Sequence, residues 1–182
     1  PEKYLAKEIK FKFLNQEKIL KTPIKWNSKE WERLWQFNLH YFDWARLTLE
    51  EAIKNGNWIK NSSIIDPLID AWIESNPPGI GDGWHSYTIS LRCRNWIWLF
   101  NFCPALITEK RSESLWNQIC WLNSHPEFCH GGNHWLENLI TLSIASIHFD
   151  GIKAKKIEKD SLNKPEKELH KQILSDGGHE ER

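Results

Sequence analysis

An asparagine and a histidine, Asn133-His134, follow a glycine pair, Gly131-Gly132. They precede an apolar run, Trp135, Leu136, Leu139 and Ile140, at helical spacing. The glycines allow backbone angles that other residues avoid, and Asn133 is a good N-cap. The pair is therefore expected at the positive end of a helix, where an anionic group is favoured. An imidazole there tends to lose its proton, because the helix end disfavours a second positive charge. A neutral imidazole beside an amide donor and an anion site is equipment for proton abstraction. The bland alternative is an N-cap followed by a histidine that packs or faces water. Cys120, His125, Cys129 and His130 add metal-ligating types nearby. Their spacing matches no common structural zinc site, so no metal or other cofactor is expected.

The elements that must position this pair read as helices, and the fold class as all-α. Residues 1–25 are lysine-rich with apolar spots such as FKFL and read as a peripheral extended segment or a short hairpin. The spacing predicts a helix from Asn27 or Ser28 to about Lys54, with Glu30 completing a capping box. The polar residues Asn38, His40 and Asp43 interrupt its apolar face. Hydrogen bonding within the core is preferred for them over lining a cleft. A second helix is expected over about 62–75, stopped by Asn76-Pro77-Pro78-Gly79. A third is expected from Trp84 or His85 to Phe102, a fourth over 110–124 and a fifth from Asn133 to Phe149. A lysine-rich polar loop then leads to a sixth helix from Lys164-Pro165 to about Ser175. Arg92 and Arg94 fall inside the apolar pattern of the third helix. Each needs a carboxylate partner or a ligand anion, and a structural ion pair is the preferred reading.

Composition narrows the classes. The 182 residues suffice for one domain with a real core. Lysine and arginine total 24, as do aspartate and glutamate, so nucleic-acid binding has no electrostatic support. No apolar run is long enough for a membrane span, and no signal peptide opens the chain. Periplasmic or secreted placement would need a targeting segment upstream; otherwise the cytoplasm is expected. Twelve tryptophans are unusual; large aromatics fill helical cores and also stack on sugar rings. The four cysteines show no CxxC spacing and read as reduced core residues, with one disulfide as the alternative in an oxidising compartment.

Four segments, WQFNLHYFDWA at 35–45, ESNPPGIGDGWHSYTISLRCRNW at 74–96, HGGNHWLENLITL at 130–142 and QILSDGGHEER at 172–182, occur together in one order. In these the chain resembles the N-terminal helical domain of the heparinase II/III-like polysaccharide lyases. The resemblance implies an incomplete (α/α) toroid over residues 26–182, built of antiparallel helical hairpins, with a C-terminal β-sandwich domain expected in the full-length chain. It implies cleavage of uronic-acid-containing polysaccharides by β-elimination: heparin-like, alginate-like or bacterial exopolysaccharide. Asn133 would neutralise the uronate carboxylate and His134 would act as base. The catalytic tyrosine of the family is expected just beyond Arg182, so the chain reads as a piece of a longer lyase. Gly132 stands where family members often carry a further asparagine. Trp84, Tyr87, Arg92, His40, His179 and Glu180 are the expected substrate-binding residues, and the partner is an anionic polysaccharide. Two other readings are a toroid glycoside hydrolase, drawing on Asp82, Glu137 or Glu180, and a non-catalytic carbohydrate-binding module.

Overall fold

The computed structural model describes residues 8–127 and 132–173. It is mostly helical, with one small sheet. Strands β1 (Glu8–Phe13) and β2 (Gln16–Lys21) pair antiparallel, with Phe13 opposite Gln16. Leu14 and Asn15 both have positive φ, the backbone that a two-residue hairpin turn of matching twist demands. The hairpin is docked rather than peripheral. Phe11 and Leu20 are buried, Phe11 meets the edge of Trp44, and the Trp35 indole N–H donates to the Gln16 carbonyl at 3.2 Å.

The helices follow as α1 (Arg33–Tyr41), α2 (Asp43–Lys54), α3 (Trp58–Ser75), α4 (Ser86–Phe102), α5 (Glu109–Ser124), α6 (Gly132–His148), α7 (Ile152–Ser161) and α8 (Lys164–Gln172). Two sequence expectations are corrected. The single long first helix is broken at Phe42, which sits in the left-handed region at φ 62°. Helix α1 also begins later than its supposed cap. Asn27 instead donates from its side chain to the Asn76 side chain at 3.0 Å. The second correction is α7, which occupies much of the expected polar loop and buries Ala154, Ile157 and Ser161 on one face.

The break at Phe42 has a physical reason. A left-handed non-glycine residue costs about 1–2 kcal/mol, but the turn drops the Phe42 ring into the centre of the core. It stacks on Trp26 at 5.7 Å and meets the edges of Trp96 and Trp72. Carbonyls near the break find new donors: Trp44 Nε1 reaches the Leu39 carbonyl at 3.1 Å and Asn95 Nδ2 the Tyr41 carbonyl at 2.8 Å. Helix α4 runs through the middle of the molecule, burying Ile89, Cys93, Trp96, Leu99 and Phe100. Its small Ser90 meets α6 closely. Asn138 donates to Ser90 Oγ at 3.0 Å, and Thr141 donates to the Ser90 carbonyl at 3.1 Å. These two bonds fix where α6 starts relative to the start of α4. Among the described residues no helix is long and apolar enough to cross a membrane.

Candidate active site

Three helix segments meet around a pocket of about 250 Å³. It is lined by Leu34, Phe37 and Tyr41 of α1, by His85, Tyr87 and Thr88 at the start of α4, and by Asn133 and His134 in the first turn of α6. Helix α6 begins at Gly132, so Asn133 lies inside the first turn rather than at the cap. Its side chain is exposed, and His134 is half-buried. Tyr87 stacks on the His134 ring at 4.2 Å and meets Tyr41 edge-on at 6.0 Å. The floor holds Thr88, whose buried hydroxyl has no hydrogen-bond partner among the described residues.

Beneath the pocket lies a residue that sequence reasoning did not single out. Glu127, on the loop after α5, places Oε2 3.1 Å from His134 Nδ1 and Oε1 3.1 Å from His85 Nε2. Its side chain is 13% exposed, so these contacts sit largely out of water. The loop is anchored from behind: the Glu127 backbone N–H donates to the Asn138 side-chain oxygen at 2.9 Å. Asn138 is one helical turn after His134 and fully buried. One asparagine thus ties Glu127 to both α6 and α4. The signal available in the sequence was slight: an acidic residue seven before His134, separated from it by two glycines. The helix end is therefore not the only field His134 feels, since a carboxylate faces it directly.

Tyr41 is almost buried, and its phenol is pushed well above the ordinary tyrosine value. Loss of hydration is the main cause, and the neighbouring Tyr87, Asp43 and Glu127 add to it. It stays protonated at neutral pH.

Several expected site residues lie elsewhere. His40 is sealed in the core: the Trp72 indole donates to its Nδ1 at 3.0 Å, and its Nε2 lies 3.3 Å from the Asn27 side-chain oxygen. Burial, then the charge of Arg92, pulls its pKa down to about 3. Trp84 is also buried, donating to the Asn76 carbonyl at 3.0 Å and packing between Trp72 and Trp121. Arg92 has neither of the partners expected for it. Its guanidinium lies flat over Trp72 at 3.8 Å, and Nε donates to Gln118 at 2.7 Å. Burial lowers its pKa to about 9, and Nη2 is buried without a partner among the described residues. Arg94 does form the expected ion pair, with Glu137 at 2.6 Å across α4 and α6. His179 and Glu180 lie outside the described residues, as do Cys129 and His130.

Among the described residues no cluster of three or more histidine, cysteine, aspartate or glutamate side chains could hold a metal ion. Cys93 and Cys103 are buried free thiols, and burial pushes Cys93 up to about 12. A second, more open hollow of about 730 Å³ is lined by Lys25, Trp31, Arg33, Gln36 and Asp82, among others. It contains none of the expected catalytic residues. Asp82 is engaged there by Arg33 at 3.0 Å and by Gln36 at 3.1 Å. No family model, curated protein or solved structure matches the chain.

Proposed function

We propose that the chain is the helical part of a polysaccharide lyase that cleaves uronate-containing polymers by β-elimination. In this reading the helices belong to an incomplete (α/α) toroid, with a β-sandwich domain beyond it. One observation carries the proposal: Asn133 and His134 share a pocket with two tyrosines, and a carboxylate holds the histidine from behind.

The chemistry follows from those groups. The proton next to a uronate carboxylate is only weakly acidic, because its removal adds charge to an anion. Asn133, at the amino end of α6, supplies an amide donor and the helix field to that carboxylate. His134 takes the proton as the C5–H bond breaks. The electron pair forms the C4–C5 double bond and the C4–O bond to the leaving sugar breaks. A phenol then protonates the departing oxygen. Tyr41 and Tyr87 offer phenols in the pocket, and the family resemblance expects a further tyrosine past Arg182. Arg33, which lines the second hollow, lies over the ring of Phe37, which lines this pocket, at 5.1 Å.

A hydrolase needs two carboxylates across the cleft. Asp82 is tied to Arg33 and Glu137 to Arg94, which favours the lyase. Product chemistry tests the choice. Digestion of uronate polymers should give unsaturated ends that absorb in the ultraviolet. Reducing ends without that absorbance would refute elimination in favour of hydrolysis.

A further inference from the structure

The geometry points to Glu127 as a positioning residue that sets the tautomer of two imidazoles at once, so that His134 Nε2 and His85 Nδ1 are the proton-accepting nitrogens of the pocket. An ionised carboxylate only accepts hydrogen bonds. Its two oxygens face His134 Nδ1 and His85 Nε2 at 3.1 Å each. Each of those nitrogens must therefore carry the proton. In the neutral rings the lone pairs fall on the opposite nitrogens, His134 Nε2 and His85 Nδ1. The two rings end up in opposite tautomers because they present different nitrogens to the same carboxylate.

Several features make this a built arrangement rather than a surface contact. Glu127 is mostly buried, and its backbone is pinned by the buried Asn138, itself held by Ser90 of α4. The rings of His85 and His134 stand nearly perpendicular, 6.5 Å apart, with the carboxylate serving both. Tyr87 covers one face of His134 and Phe37 lies 5.5 Å from His85, which limits rotation of either ring. Both histidines line the pocket. The lone pairs of the two rings therefore fall on the nitrogens turned away from Glu127. One suits a carbon-bound proton, and the other a hydroxyl of the same or the neighbouring sugar. The catalytic meaning of this rests on the lyase reading, but the tautomers do not.

An amide cannot replace the carboxylate. In Glu127→Gln the side-chain oxygen accepts from one ring only, while its NH₂ must donate to the other. One of the two histidines is then forced into the reversed tautomer. Long-range proton–nitrogen NMR correlation of ¹⁵N-histidine-labelled protein, at a pH high enough that the rings are neutral, reads this without any substrate. His134→Ala and His85→Ala assign the signals. We expect His134 with its proton on Nδ1 and His85 with its proton on Nε2. Glu127→Gln should reverse one of them, and Glu127→Ala should release both toward the mixture seen in free histidine. Finding His134 in the Nε2–H form in the unaltered protein would overturn the assignment, whether or not the variants fold. So would spectra that neither substitution changes. In turnover of a uronate polymer, Glu127→Gln should lower kcat roughly 10- to 10⁴-fold, the upper end being the cost of a wrong tautomer, with KM little changed. The expected tautomers in a longer protein that includes the expected tyrosine past Arg182, and yet yields no unsaturated product, would sink the lyase reading alone. Wrong tautomers in a protein that does yield it would sink only the role given to Glu127.

Discussion

Arg111 should be worth several kcal/mol to stability, about 3 by the groups it touches. It stands in the first turn of α5 with its side chain only 2% exposed. The guanidinium forks onto Asp70 at 2.8 and 2.7 Å, reaches Asp66 Oδ1 at 2.7 Å, and donates to the Leu106 and Asp66 carbonyls at 2.9 and 2.8 Å. Asp66 and Asp70, one turn apart on α3, are 49% and 37% exposed, so water replaces much of what they lose on truncation. The Leu106 carbonyl is different: stripping its donor costs about 1–3 kcal/mol. With the lost arginine stem and the discounted ion pairs, Arg111→Ala should cost about 3 kcal/mol, the low end for breaking a buried pair. For a chain of this size that is a fall in Tm of roughly 6–12 °C. Arg111→Lys keeps the charge but loses the planar fork, and should recover less than half. Urea unfolding of the three proteins measures this. Acid adds a check. The Asp70 carboxyl is held below its ordinary value, chiefly by its hydrogen bonds to Arg111. Its contribution is therefore present above the unfolded aspartate value and lost as pH falls through the lower folded one. Arg111→Ala should remove that loss. A cost below about 1 kcal/mol, or an unchanged acid limb, would refute the reasoning.

Two further outcomes follow from the core. His40 has a folded pKa near 3 against 6.5 in the free side chain, so the unfolded chain binds more protons between those values. Stability should fall as pH drops from about 6.5 toward 3, by something on the order of 5 kcal/mol over the full window. In urea melts at several pH values, His40→Gln should flatten that slope; an equal slope would contradict it. Arg92→Met removes a buried cation that has no counter-ion among the described residues and keeps most of the volume over Trp72. Losing the buried charge is favourable, but Gln118 Oε1 loses its Arg92 donor, so stability should change by less than about 2 kcal/mol in either direction, and affinity for uronate oligosaccharides should be unchanged, as calorimetric titration would show.

The sequence made the middle of the fold legible. Helices α3 to α6 carry clear apolar periodicity, and Pro77-Pro78 and Pro104 mark stops that the structure keeps. The break at Phe42 had no local sign, because the groups that make it tolerable, Asn95, Trp96 and Trp72, come from far along the chain. Helix α7 did leave a trace, Ala154, Ile157 and Ser161 on one face, but its lysines obscured the stripe. At the site, residue type and spacing pointed to Asn133 and His134, and to Tyr87 beside them. For His40 the preferred reading, a hydrogen-bonded core histidine, is what the structure shows, whereas Trp84 and Arg92, expected to meet substrate, are buried. A polar or aromatic group inside an apolar helix meets other helices as readily as a cleft, and only the packing decides. Glu127 was missed for the opposite reason: an acidic residue in a loop looks solvated until Asn138 and the two histidines are seen around it.

In the proposed reaction, proton abstraction by His134 is the step the other pocket groups serve, and solvent exchange watches it directly. A uronate oligosaccharide incubated with the protein in D₂O reports the base even if the leaving oxygen is slow to depart. An abstraction whose proton exchanges with solvent ends either in an unsaturated sugar or in deuterium returned to C5, and mass spectrometry with NMR counts both. The expected result is that the two signals together appear with the unaltered protein and fall roughly 10²- to 10⁴-fold in His134→Ala. If neither appears, or if both persist undiminished in His134→Ala, the pocket is not where the proton is taken.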